Sequence, residues 1–96
     1  GPLIHLALRH LDCAQEYILS IPAARGDLRL FCVWACHLAL ATLALIARYP
    51  DRAVKVSRED LTPLLGRSRA RVHDDAALAE QYFDLREQVT RALTLS

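Results

Sequence analysis

Residues 30–47 read LFCVWACHLALATLALIA, eighteen residues without a formally charged side chain, and Arg29 and Arg48 flank them. This length lies at the short end of the range for membrane-spanning helices. The segment is rich in Ala and carries Cys, His and Thr, and a helix that is apolar all round is also typical of the centre of a helical protein. We therefore predict a buried central helix, with a membrane span as the alternative.

The segment before it has the periodicity of an amphipathic helix. Apolar side chains recur at helical spacing from Leu3 to Ile21, and Pro22 marks the end. The predicted buried stripe comprises Ile4, Leu8, Leu11, Ala14, Ile18 and Ile21. A second row, Leu6, Cys13 and Tyr17, is expected to widen the buried face.

Two further helices are predicted in the second half, after a short extended stretch at residues 53–56. Ser57 and Asp60 have the spacing of a capping box, and Gly66 is expected to end or kink that helix. Asp74 and Asp75 begin the last helix, where carboxylates suit the helix dipole. Its stripe is Leu78, Tyr82, Leu85, Val89 and Leu93. The fold class is thus all-α, with about four helices around a buried central helix, and residues 1–96 form a single piece.

The composition predicts that part of the apolar surface faces a partner. The net charge is +1, which argues neither for nor against an anionic partner. The hydrophobic share is 53%, above the typical value of about 45–50%. Because so short a chain has little interior, we expect part of this apolar surface to face a partner and to cause self-association of the isolated chain.

The cysteines and histidines predict packing and not chemistry. Three cysteines, Cys13, Cys32 and Cys36, lie in apolar helical patterns and are interpreted as reduced core thiols of a cytosolic protein. Cys32, Cys36 and His37 form too small a cluster to predict a metal site. His37 lies in a wholly apolar run, and we interpret it as a core histidine bonded to a backbone carbonyl.

Residues 57–72, SREDLTPLLGRSRARV, offer an alternative function as a helix-turn-helix DNA-binding module. A turn at Gly66 would precede a recognition helix with the cations Arg67, Arg69 and Arg71. Pro63 inside the first helix and the near-neutral net charge argue against it. A helical protein-interaction module without chemistry is the third class considered, and a nucleic-acid partner is disfavoured.

Four stretches, in order, resemble the C-terminal part of the squalene/phytoene synthase family, whose members condense two prenyl diphosphates head to head. They are AQEYILSIP (14–22), RLFCVWACHLALATLALIA (29–47), AVKVSRED (53–60) and DDAALAEQYFDLREQV (74–89). The Phe-Cys helix and the Val-Lys segment are the specific parts of the resemblance. It implies the C-terminal helices of an isoprenoid-synthase-type fold.

The resemblance also implies roles for named residues. Phe31 and Cys32 would line the hydrophobic cavity that holds the prenyl chains. In the squalene-forming members the Val-Lys segment holds the phosphate end of NADPH, which implies cofactor binding by Lys55. The second basic residue of that segment is displaced: Ser57 stands in its place, and Arg58 follows as the second predicted cofactor-binding residue. A phytoene-type or cofactor-free first-step enzyme is therefore equally compatible with the segment.

The family's aspartate-rich motifs, which bind Mg²⁺ and ionise the diphosphates, have no counterpart in this chain. We therefore expect no catalytic residue, metal ligand or cofactor of its own in residues 1–96, and no activity from the chain alone. The implied partners are the remainder of a larger parent enzyme, which would bind prenyl diphosphate and Mg²⁺, or a second copy of the chain. The expected location is cytoplasmic, with peripheral membrane contact as the alternative.

Overall fold

The computed structural model describes residues 2–95, and the side chains of residues 2–94. Four α-helices follow one another: α1 (Pro2–Ser20), α2 (Gly26–Arg48), α3 (Arg58–Arg71) and α4 (Asp75–Leu95). The described residues contain no strand, and the stretch at residues 53–56 is irregular backbone. The all-α prediction and the number of helices are confirmed.

Local signals in the sequence explain the helix boundaries. Pro22 follows α1 and lacks the backbone N–H that a further turn would need. The Ser57 hydroxyl accepts from the Asp60 N–H at 3.1 Å and caps α3. Asp74 caps α4 in the same way, since its carboxylate accepts from the Ala77 N–H at 3.1 Å. The two predicted helix starts in the second half are therefore confirmed.

The core lies where α2 meets the other three helices, all of which it contacts. The predicted stripes of α1 and α4 face this core, with Leu8, Leu78 and Val89 almost fully buried. The core cluster comprises Leu8, Ile18, Val33, Cys36, Leu40, Leu64, Leu78, Tyr82, Leu85 and Val89. Helical periodicity therefore identified the inward faces of the two terminal helices.

Helix α2 is buried on one side only and exposes an apolar face on the other, as the high apolar share of so short a chain predicts. Val33, His37 and Leu40 are buried, whereas Phe31 is 76% exposed on the opposite face. Only 28% of the most apolar 18-residue window of α2 is buried. The reason is geometric: α1, α3 and α4 approach α2 from one side and leave the other side open. Within the described residues α2 is the one helix long and apolar enough to cross a membrane, a property that it shares with core helices.

The expected second buried row of α1 is also wrong. Leu6 is 42% exposed and Tyr17 is 65% exposed, and Cys13 lies at the surface. At 100° per residue these positions lie about half a turn away from Leu8 and Ile18, which face the core. The interpretation of Cys13 as a core thiol therefore fails, while Cys36 is buried and Cys32 is half-buried.

Helix α3 continues through Gly66, so the helix does not end at that residue. The helix is continuous from Arg58 to Arg71, even with Pro63 inside it. A helix-turn-helix motif needs a tight turn between two helices at this point. The arrangement that the DNA-binding alternative requires is therefore not formed.

A buried arginine ties the four helices together at one end of the bundle. Arg29, in the first turn of α2, is 1% exposed. Its guanidinium donates to the carbonyls of Ile21 (2.8 Å), Val72 (3.2 Å) and Leu19 (3.4 Å). It also pairs with the Asp75 carboxylate at 2.7 Å. These partners are at the ends of α1 and α3 and the start of α4, where helix carbonyls lack intrahelical partners.

We predict that Arg29→Met lowers the free energy of unfolding by about 3 kcal/mol, because it leaves buried carbonyls without a donor. Urea denaturation at pH 7 measures the change. Arg25→Met is the matched control, since Arg25 is exposed and its pair with Asp27 at 3.6 Å is in solvent. Equal stability of the two variants would contradict the role given to Arg29.

Candidate functional site

The uncovered side of α2 forms a groove with α1. One hollow of about 340 Å³ is lined by Leu11, Ala14, Tyr17, Ile18, Phe31, Cys32, Ala35 and Cys36. A second hollow of about 700 Å³ is lined by Ala7, His10, Leu11, Ala35, Leu38, Ala39, Thr42 and Leu43. Leu11 and Ala35 line both hollows, so the two form one continuous surface, which we call the α1–α2 groove.

The α1–α2 groove brings together the two residues predicted to line a substrate cavity. Phe31 projects from it into solvent, and Cys32 beside it is half-buried. The lining contains no Asp, Glu, Lys or Arg, and His10 is its only histidine. Such a surface offers an occupant hydrocarbon contact and no ion pairing, which favours an apolar chain or an apolar helix face.

The two residues predicted to bind a cofactor lie elsewhere. Lys55 and Arg58 are exposed beside a shallow hollow of about 470 Å³, together with Val56, Ser57 and Leu61. Val56 also contributes to a cleft with Arg48, at the end of α2 remote from Phe31. Seventeen residues of helix correspond to about 25 Å. The structure therefore does not bring the two predicted pairs together.

Among the described residues, no group of three or more His, Cys, Asp or Glu side chains is placed to hold a metal ion. Cys36 is also unsuited to nucleophilic chemistry, because burial raises the pKa of its thiol to about 11. The thiol is therefore protonated at neutral pH, whereas the reactive form of cysteine is the thiolate.

A buried polar network links α2, α3 and α4. The Ser68 hydroxyl donates to the Leu64 carbonyl at 3.0 Å, which uses its one proton. It then accepts from Gln81 Nε2 at 3.1 Å and from His37 Nδ1 at 3.1 Å. His37 Nε2 and Gln81 Oε1 are left as buried acceptors without a partner among the described residues.

His37 is fully buried, as its apolar surroundings predict, but its partner is the Ser68 hydroxyl and not a backbone carbonyl. Burial lowers the pKa of His37 to about 4, with a further contribution from the positive charge of Arg67. The imidazole is therefore neutral at pH 7. Ser68 and Gln81 gave no sequence signal, because a serine and a glutamine in helices usually face solvent.

A second polar cluster joins α1 to α4. The Asp12 carboxylate accepts from the Arg86 guanidinium at 2.8 and 3.0 Å and from the Tyr82 hydroxyl at 2.5 Å. The Arg86 hydrogen bonds hold the pKa of Asp12 below its ordinary value. Burial and this carboxylate raise the pKa of Tyr82. The cluster is therefore a structural tie between α1 and α4 beside the core.

No protein-family model matches this chain. Neither the curated proteins nor the solved structures include a significant match to it.

We predict that stability falls as pH decreases from about 6.5, because the unfolded chain binds a proton at His37 that the folded chain rejects until about pH 4. The free energy of unfolding should decrease by about 2 kcal/mol between pH 7 and pH 5. Urea denaturation at one protein concentration measures it. His37→Gln should remove most of the difference, and an unchanged difference in that variant would refute the assignment.

Proposed function

We propose that this chain forms the C-terminal helices of a head-to-head prenyl diphosphate-condensing domain of the squalene/phytoene synthase type. Its part in that domain is the apolar wall of the cavity that holds the prenyl chains. The observation that carries the proposal is the α1–α2 groove, an open apolar surface on which Phe31 and Cys32 lie side by side. These are the residues to which the sequence resemblance assigns the cavity wall.

The chemistry of the groove supports a hydrocarbon ligand. Its lining offers alanine and leucine side chains, with the Phe31 and Tyr17 rings at one end. Each methylene group that leaves water for such a surface contributes about 0.8 kcal/mol. A prenyl chain is a run of such groups without charge. The wall would hold that chain and keep water from it, and Phe31 would supply the largest contact area.

Metal and diphosphate binding are assigned to other parts of the parent enzyme. Among the described residues no three potential metal ligands cluster, and the sequence has no counterpart of the family's aspartate-rich motifs. The proposal therefore gives this chain no step of diphosphate ionisation. It predicts that residues 1–96 alone are inactive and that the remainder of the parent supplies the metal site.

Lys55 and Arg58 are proposed to hold a phosphate group, that of NADPH if the parent reduces its product. Two exposed cations at the start of α3 suit an anion, and the N-terminus of a helix adds partial positive charge. The carboxylates of Glu59 and Asp60 in the first turn of α3 act against the binding of an anion. Lys55 and Arg58 lie near the C-terminal end of α2, whereas Phe31 lies near its N-terminal end. The pair would therefore bind a group remote from the cavity wall.

The α1–α2 groove also explains the proposed partners. In the parent enzyme, upstream helices and the prenyl chains would cover it. In the isolated chain, a second copy would do so, because so large an apolar surface is costly to leave in water. The location proposed is cytoplasmic, and peripheral contact with a membrane would use the same surface.

Activity of the full-length gene product with farnesyl or geranylgeranyl diphosphate and Mg²⁺ tests this function. Phe31→Asp should lower kcat/KM by about a hundredfold, because a buried charge in the cavity wall costs several kcal/mol. Phe83→Asp is the matched control, since Phe83 is 61% exposed on α4, outside the groove. It should keep activity within about twofold of the unchanged enzyme.

Light scattering on the 96-residue chain gives a second readout. Phe31→Asp should abolish the self-association of the chain, and Phe83→Asp should leave it unchanged. The proposal is wrong if the full-length product forms no prenyl-condensed compound, or if the two variants are equally active.

A further inference from the structure

A second concave surface lies on the opposite side of the molecule, between the C-terminal half of α2 and helices α3 and α4. This cleft has a volume of about 390 Å³, within the size range of small-molecule sites. Its floor is apolar and comprises Ala41, Ala44, Leu45, Leu64 and Leu85. Arg48, Arg67 and Asp60 also line it. The cleft therefore combines a hydrocarbon floor with a net positive charge.

The two arginines of the cleft are available to a ligand. Arg48 and Arg67 are exposed, and neither forms an ion pair within the part of the chain that the structure describes. They come from different helices, α2 and α3, so only the tertiary fold brings them to one cleft. Guanidinium groups bind carboxylates and phosphates through paired hydrogen bonds.

An adjoining hollow of about 260 Å³ shares Arg67, Leu85 and Gln88 with the cleft. Gln81 also lines this hollow, and it is 7% exposed. Its Oε1 is a buried acceptor without a partner among the described atoms. Buried amide oxygens are nearly always hydrogen-bonded. This oxygen has almost no accessible surface, so it is out of reach of a ligand, and the hollow also carries the carboxylates of Glu80 and Asp84.

We propose that this cleft binds a small amphipathic acid. Its carboxylate or phosphate lies between Arg48 and Arg67, and its short hydrocarbon chain lies on the alanine and leucine floor. The site is separate from the α1–α2 groove and does not depend on the function proposed for that groove.

Titration of the ¹⁵N-labelled chain with octanoate, observed by NMR, tests the site. Saturable shifts should concentrate on the backbone amides of Ala44, Leu64, Arg67 and Leu85. Octanol, which has a hydrocarbon chain of the same length but no charge, should bind about tenfold more weakly. The affinities of octyl phosphate and octanoate, measured in the same way, decide whether the site prefers a phosphate or a carboxylate.

Two surface variants of α3 provide the control. Arg67→Gln should weaken octanoate binding by about tenfold, whereas Arg69→Gln should not, because Arg69 is exposed but does not line the cleft. Circular dichroism checks that both variants fold. Equal affinity of the two variants would overturn the site, as would shifts confined to Ala35 and Ala39 in the groove, or the absence of saturation at about 10 mM ligand.

Discussion

The guanidinium of Arg29 is the interaction on which the arrangement of the four helices depends. It is almost fully buried, yet it is surrounded by carbonyls at the ends of α1 and α3 and by the carboxylate that begins α4. A buried charge is tolerated only when it is paired and hydrogen-bonded in this way. The Arg29 side chain therefore holds the adjoining ends of α1, α3 and α4 against the first turn of α2.

One face of α2 is left uncovered in this arrangement. With the helix ends gathered around Arg29, α1, α3 and α4 pack on one side of α2, and the Asp12–Arg86 pair fastens α1 to α4. Nothing in the described residues covers the side that carries Phe31. The proposed function follows from that face, because an apolar groove without charges suits a prenyl chain and the helices that would enclose it. The arginine-lined cleft lies on the other side and has its own chemistry.

The helices were predictable from the sequence because their signals are local. Ser57, Asp74 and Pro22 set helix boundaries through neighbouring backbone groups, and the stripe through Leu78 and Val89 follows from the helical period. The faces of α2 were not predictable, since all its faces are apolar and only the number and position of neighbours decides which is buried. Tyr17 was wrongly predicted to be buried because it is an aromatic residue adjacent to the buried stripe of α1.

The candidate site was predictable only in part. Phe31 and Cys32 are adjacent in sequence and remain together, whereas Lys55 and Arg58 lie far from them along α2. The polar partners that fix the structure pair residues distant in sequence, such as Arg29 with Asp75 or His37 with Ser68, and no local pattern reveals them.

Photoaffinity labelling tests the central claim, that the α1–α2 groove contacts a prenyl chain. The full-length gene product would be irradiated with a farnesyl diphosphate analogue that carries a benzophenone at the end of its prenyl chain, then digested with trypsin. Cleavage after Arg29 and Arg48 releases residues 30–48 as one peptide. We expect the label on this peptide, close to Phe31, and its loss in the presence of excess farnesyl diphosphate. Labelling confined to peptides of α3 or α4, or absent from residues 1–96, would contradict the account.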